Sequence, residues 1–262
     1  AMLLARRCPD ATMAIFTADH IITPQDAFDR AISAGLNAAE QFPDALVTFG
    51  VTPDSPHTGY GYVRRGEQIA NEVYNSRGFK EKPDRTTAET YLRSGDYLWN
   101  SGMFAWRLPT ILTELARQMP DTHAALCAIA RDWTAENRPE IAARFGRLRK
   151  VSIDYGVMEG AARVIVVEMR CRWLDLGSWS AIAATRSTDA DGNVAVAERS
   201  TFMQSRNSIV VSESDHLLVT LGVENLIVVH SPDATLVVHR DFEQAVKDLV
   251  QIVGQQFENR YD

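Results

Sequence analysis

The sequence predicts an α/β domain on a mostly parallel sheet, followed by a small β-rich module that ends in a helix. Three observations carry this. Thr12-Met13-Ala14-Ile15-Phe16, Ala45 to Val51 and Val164 to Val167 are continuous apolar runs, the pattern of strands buried on both faces. The first two flank a helical stripe, so strand, helix and strand make one βαβ crossover. Beyond about Thr188 the chain turns to short β runs at roughly eight to ten residue intervals, with Ser, Asp, Asn and Gly between them. That change divides the sequence into residues 1–187 and 188–262.

A chain of 262 residues, 45% hydrophobic and 23% charged, is long enough to bury a sizeable core. Its net charge of −7 excludes a general nucleic-acid or anionic-membrane surface, so any phosphate it handles must meet a local cation or a metal. Cys8, Cys127 and Cys171 are few, odd in number and far apart, which predicts reduced, buried thiols rather than a disulfide scaffold or zinc site. No run approaches the roughly 20 apolar residues of a membrane span, and the N-terminus lacks a signal-peptide core. The expected location is the cytoplasm.

Residues 1 to 8 read as the tail of a helix. Thr23 as N-cap and Pro24 at the first helical position open the next one, with Phe28, Ala31, Ile32, Leu36 and Ala39 as its apolar stripe up to Phe42. Alternation in Gly61-Tyr62-Val63 and Ile69 to Tyr74 predicts an antiparallel hairpin around Arg65-Gly66-Glu67. Thr86 or Thr87 caps a short helix ending at Gly95, and Pro109 to Met119, Thr122 to Trp133 and Pro139 to Leu148 are three more. Ser152 opens another through Ala162, with Asp154 in the first turn, where the helix dipole favours a carboxylate. In the second part Ser208 to Val211, Leu217 to Thr220, Leu226 to Val229 and Thr235 to Val238 read as strands, and Phe242 to Val253 as a closing helix ended by Gly254. No hexapeptide repeat is visible, which argues against a long left-handed β-helix.

Asp19 lies just beyond a strand, where open α/β sheets place their ligands, although it can equally cap the helix that follows. Asp175 stands in the same situation after Val164 to Val167, with Gly177 allowing close backbone approach and Ser178 a natural N-cap. Two carboxylates at adjacent strand ends can hold one Mg²⁺, a hard cation that takes oxygen ligands. Phe79-Lys80-Glu81-Lys82-Pro83 reads as extended, with Lys80 and Lys82 on one face and Glu81 on the other, a pattern shared with any solvated edge strand. Trp99-Asn100-Ser101-Gly102-Met103-Phe104 reads as a polar turn between core aromatics. The histidines at 20, 57, 123, 216, 230 and 239 show no convergent spacing with a Ser or Cys.

Taken in order, Ala18-Asp19-His20, Phe79 to Pro83, Trp99 to Phe104 and Trp173-Leu174-Asp175-Leu176-Gly177-Ser178-Trp179 resemble the sugar-1-phosphate nucleotidyltransferases, most closely their mannose-1-phosphate guanylyltransferase branch. The resemblance implies a Rossmann-like nucleotidyltransferase domain and Mg²⁺-dependent transfer from GTP to mannose 1-phosphate. It matches the family's metal-binding aspartates to Asp19 and Asp175, which with Lys82 form the catalytic set. It matches Glu81 to sugar hydroxyls, Lys82 to the sugar phosphate, Gly61 of Tyr60-Gly61-Tyr62 to close backbone approach and Asn100 to a sugar hydroxyl. Ser152-Ile153-Asp154-Tyr155 matches a helix opening with a structural role. Leu221 to Leu226 and Ser231 to Ala234 match the family's tail, which implies a homo-oligomer, a dimer, through the second module. The family's G-G-x-G-x-R-L-x-P nucleotide loop is not found in these residues, so the nucleotide contacts are unassigned. The expectation is a sheet lacking its first βαβ unit, a strand near Met13 to Phe16 without one neighbour, and little turnover by this chain alone. A non-catalytic sugar-phosphate binding or regulatory subunit, and a nucleotidyltransferase for another hexose 1-phosphate, are the alternatives.

Overall fold

The computed structural model describes residues 1–134, 136–258 and 260. They form two units: Ala1–Ala18 with Ile22–Trp173, and Asp19–Ile21 with Leu174–Asp262. In chain order the elements up to the second boundary are α1 (Met2–Ala5), β1 (Thr12–Ile15), β2 (Ile21–Thr23), α2 (Gln25–Gln41), β3 (Leu46–Val51), β4 (Tyr62–Ala70), β5 (Val73–Lys80), α3 (Arg85–Ser94), β6 (Tyr97–Arg107), α4 (Leu108–Gln118), α5 (Pro120–Arg131), α6 (Arg138–Gly146), α7 (Ile153–Gly156), β7 (Val164–Met169) and β8 (Arg172–Leu174).

The first unit is built on a six-stranded sheet of order β1-β6-β3-β7-β5-β4. β3 and β7 pair in parallel and all twelve of their residues are buried, as continuous apolar runs require. Side chains alternate across them. Val47, Phe49, Ile165 and Val167 meet the small face of α2, Ala31, Ala38 and Ala39, while Leu46 and Val164 meet Phe104, Trp106, Ile111 and Met158 on the other side. Gly35 lets α2 lie close, since a Cβ there would overlap the Phe49 ring.

The sheet is mixed rather than mostly parallel. β6 is antiparallel to both β1 and β3, so β1 and β3 run the same way with β6 inserted between them. β1 lies at the sheet edge and is half-buried, not enclosed on both faces. The expected turn from Trp99 to Phe104 is part of this long strand, because its polar members are satisfied inside the sheet: Ser101 Oγ donates to the Phe49 carbonyl at 2.7 Å. The hairpin of β4 and β5 turns at Asn71 and Glu72, the latter with φ of 59°, and not at Gly66, where the ladder instead shifts register. Asp84, not Thr86 or Thr87, caps α3 by accepting the Thr87 N–H at 2.9 Å, and Pro24 rather than Thr23 precedes the first turn of α2. The helix expected through Ala162 breaks after Gly156 and resumes as a 3-10 turn at Met158–Gly160. Cys8 is exposed and the other two thiols are half-buried; all three are free. Among the described residues no helix is long and apolar enough to cross a membrane.

The second unit contains α8 (Trp179–Ala183), β9 (Val194–Val196), β10 (Arg199–Met203), β11 (Ile209–Ser212), β12 (Leu217–Leu221), β13 (Leu226–His230), β14 (Thr235–His239), a 3-10 turn at Arg240–Ala245 and α9 (Val246–Gln256). Its compact boundary falls before the compositional change at 187/188 because Trp179 and Ala183 of α8 pack on Val194, Ile209 and Ile227. β9, β11 and β13 stack in parallel, as do β10 and β12. Arg199 lies beside Leu217 and Ile209 beside Ile227, 18 residues on, while Val194 lies beside Ile209, 15 residues on, and the module is a short β-helix. Asn207 and Asn225, both left-handed, stack at one corner with Nδ2 donating to Oδ1 at 2.6 Å. Gly254 is buried inside α9 and does not end it.

Candidate active site

In the first unit β4 begins beside β6, and the Gly61 carbonyl accepts the Asn100 N–H at 2.8 Å. Gly61 and the Asn100 side chain therefore share one face. Glu81 comes from the end of β5, where the extended alternation expected for Phe79 to Pro83 stops: Lys82 has φ of 44°, which turns the chain. Lys82 Nζ then reaches back to Glu81 Oε1 at 2.8 Å, while Lys80 Nζ goes to Glu159 Oε1 at 3.3 Å. The two lysines do not share a partner.

Glu81 is buried and its Oε2 has no hydrogen-bond partner. That oxygen occupies the place a Cβ on Gly61 would take, with Asn100 Cβ 3.3 Å from the same point. Asn100 Oδ1 accepts Thr48 Oγ1 at 2.7 Å and its Nδ2 donates to Asp154 Oδ1 at 2.8 Å. The structure thus brings Gly61, Glu81, Lys82 and Asn100 together around an unsatisfied acceptor. Buried polar groups are rarely left so, and a ligand hydroxyl would satisfy this one.

Burial raises the Glu81 pKa above the ordinary carboxylate range; Lys82 opposes the shift and the Asp154 and Glu159 charges add to it. Burial disfavours the Lys82 charge too, but the hydrogen bond and charge of Glu81 outweigh this and hold its pKa above the usual value. A carboxyl whose folded pKa is raised lends stability below its unfolded pKa and loses it as pH climbs through the folded one. Glu81→Gln is therefore expected to melt higher than the parent, with a gap that widens as pH rises from the ordinary carboxylate range through the raised Glu81 pKa. A gap that stays constant in thermal melts over this range would show that Glu81 is not held against its charge.

In the second unit the charges of Asp19 and Asp175 both act on His20. The His20 side chain is nearly buried, with Nε2 3.9 Å from the exposed Asp19 carboxylate. Burial lowers the His20 pKa, and Asp19 and Asp175 both push it upward, so both carboxylates act on one imidazole. Asp175 follows β8, and Asp19 precedes β2, which pairs with β8. In the main sheet β1 and β7, the strands after which the sequence placed them, are not neighbours, since β6 and β3 lie between them. Leu176, with φ of 42°, turns the backbone after Asp175, and Ser178 caps α8 by accepting the Ala181 N–H at 3.1 Å. Among the described residues no group of three or more His, Cys, Asp or Glu could form a closed metal cage. Two carboxylates suit a hard cation that fills its shell with water and phosphate oxygens.

The residues that sequence reasoning passed over are Thr48, Asp154 and Glu159, which touch Asn100 and Glu81 from distant segments, and His20, whose only signal was its place beside Asp19. His123 and Cys127, four apart on α5, also come within 3.8 Å although no spacing rule singled them out.

This fold and these clusters define a class. The Nucleotidyl transferase family model matches residues 1–192, and the chain belongs to that family. A second model, the MannoseP isomerase/GMP-like beta-helix domain, matches residues 198–252. Relatives of the chain include proteins named mannose-1-phosphate guanylyltransferase. One from Klebsiella pneumoniae is 38% identical over 270 residues, covering 100% of this chain and 56% of the relative. Another from Escherichia coli (strain K12) is 39% identical over 261 residues, covering 96% and 53%. A crystal structure from Thermus thermophilus, described as a mannose-1-phosphate geranyltransferase, superposes with a TM-score of 0.79 at 33% identity, over 96% of this chain and 72% of that one. The chain spans about half the length of the curated relatives it matches.

Proposed function

We propose that the protein serves guanylyl transfer from GTP to mannose 1-phosphate, forming GDP-mannose and pyrophosphate. A phosphate oxygen of the sugar phosphate attacks the α-phosphorus of GTP, the bond to the β-phosphate breaks, and pyrophosphate departs with that electron pair. The observation that carries this reading is the unpartnered Glu81 Oε2, buried against Gly61 and Asn100. Sugar hydroxyls both donate and accept, and this site offers a carboxylate oxygen to one and an amide N–H to another. Lys82 spends one of its three N–H donors on Glu81 and keeps the others for the sugar's phosphate. No proton transfer is needed, which suits a site without a nucleophile and base pair.

Asp19 and Asp175 would hold Mg²⁺, which when bound neutralises phosphate charge and aligns the reacting groups. We place the reaction in the cytoplasm, where nucleoside triphosphates are abundant. We assign homodimerisation to residues 188–262, where Met203, Leu217, Val219 and Leu221 point outward from β10 and β12. In sedimentation a concentration-independent monomer would remove that assignment. Calorimetric titration with mannose 1-phosphate tests the site: binding is expected, weaker for glucose 1-phosphate and lost for free mannose. No binding of any hexose 1-phosphate overturns the reading. Because no Gly-rich loop occurs in these residues, pyrophosphate release by this chain alone is expected to be slight, and robust release would show that the nucleotide contacts lie elsewhere than in such a loop.

A further inference from the structure

Asn100 can read a ligand only if its amide is fixed, because its two ends differ in whether they donate or accept. Oδ1 faces donors, Thr48 Oγ1 at 2.7 Å and the Gly102 N–H at 3.4 Å. Nδ2 faces Asp154 Oδ1 at 2.8 Å. An ionised carboxylate only accepts, so a flipped amide would set oxygen against oxygen. With one amide hydrogen engaged, a single N–H is left for a ligand. Further along the same segment, Glu159 Oε1 accepts the Glu81 N–H at 2.8 Å, just where the chain leaves β5 and turns at Lys82.

The fold's own needs in this segment are met by other residues. Ser152 caps α7, and Val157 and Met158 fill the core. Asp154 and Glu159 instead send their oxygens to the two arms of the ligand site. We propose that Asp154 and Glu159 are positioning residues of the sugar-phosphate site, two carboxylates of one segment that hold Asn100 and the Glu81–Lys82 pair in register. The proposal rests on the reading of Asn100, Glu81 and Lys82 as that site.

Mannose 1-phosphate is titrated by calorimetry into the 262-residue chain and its variants. Asp154→Leu keeps the shape and removes the acceptor, and is expected to weaken binding about tenfold. Asp154→Asn keeps an acceptor while Thr48 and Gly102 still address Oδ1, and should stay within about threefold. In an Asn100→Ala background Asp154→Leu should add less than about twofold, since it acts through an amide no longer there. Glu159→Met should behave as Asp154→Leu, and Glu159→Gln as Asp154→Asn. If Asp154→Leu does not fold, Asp154→Ala takes its place. Additive losses in the double variant, or equal losses for the Leu and Asn replacements, overturn the positioning role. If Asn100→Ala itself leaves affinity unchanged, the sugar-phosphate reading has failed and the proposal falls with it.

Discussion

With the nucleotide loop supplied, Asp175→Ala is expected to slow nucleotidyl transfer by about a thousandfold, about 4 kcal/mol of transition-state stabilisation, while moving the unfolding midpoint by no more than about 2 °C. The asymmetry follows from where the carboxylate sits. Asp175 lies in the turn after β8, half-exposed and outside the apolar cluster of its unit, and Ser178 still caps α8 without it. Joining two polyanions, by contrast, depends on charge neutralisation at the reacting phosphates, the largest single contribution in reactions of this kind. Asp19 and Asp175 are the two carboxylates assigned to the proposed Mg²⁺ site, so removing either takes half of its anionic side chains. A readout independent of turnover is the affinity for Mn²⁺ by electron paramagnetic resonance. Asp175→Ala and Asp19→Ala should each weaken one site more than about tenfold. If Mn²⁺ titrates identically in parent and variants, the pair does not hold the ion.

What the sequence disclosed was local. β3 and β7 stood out because strands enclosed on both faces must be apolar throughout, and Asp19, Gly61, Glu81, Lys82, Asn100 and Asp175 sit in short segments whose order is recognisable. What stayed hidden depends on distant partners. Trp99 to Phe104 reads as a turn because Asn, Ser and Gly favour turns, yet here Asn100 and Ser101 are buried in a strand, satisfied by Thr48 and the Phe49 carbonyl. Asp154 reads as a first-turn carboxylate, and its interaction with Asn100, 54 positions away, leaves no local trace. Lys82 breaks the extended alternation by one left-handed residue, which no pattern of charges announces. The β-helix escaped because its coils have polar corners and only a few stack, so no repeat accumulates along the chain.

Gly61→Ala is expected to weaken mannose 1-phosphate binding by about a hundredfold with only a modest loss of stability. The added methyl would fall on Glu81 Oε2, and two responses compete. The backbone could yield, but Gly61 is anchored by its carbonyl to the Asn100 N–H and leads directly into β4, whose first residues are buried. The carboxylate is the end of a flexible side chain, and moving it breaks one hydrogen bond, to a Lys82 that is half in solvent. The carboxylate therefore gives way, at a cost in the range of about 1–3 kcal/mol for overpacking. Binding is affected more than folding, because the displaced carboxylate no longer meets a sugar hydroxyl, and a lost hydrogen bond to a charged group costs about 1.5–3 kcal/mol, up to about a hundredfold in affinity. The mechanism also predicts strong non-additivity: once Glu81→Ala has removed the carboxylate, Gly61→Ala should add little, since the methyl then has room. Independent, multiplicative losses in calorimetric titrations of the two single variants and the double would mean that Gly61 meets the ligand itself rather than setting the place of Glu81.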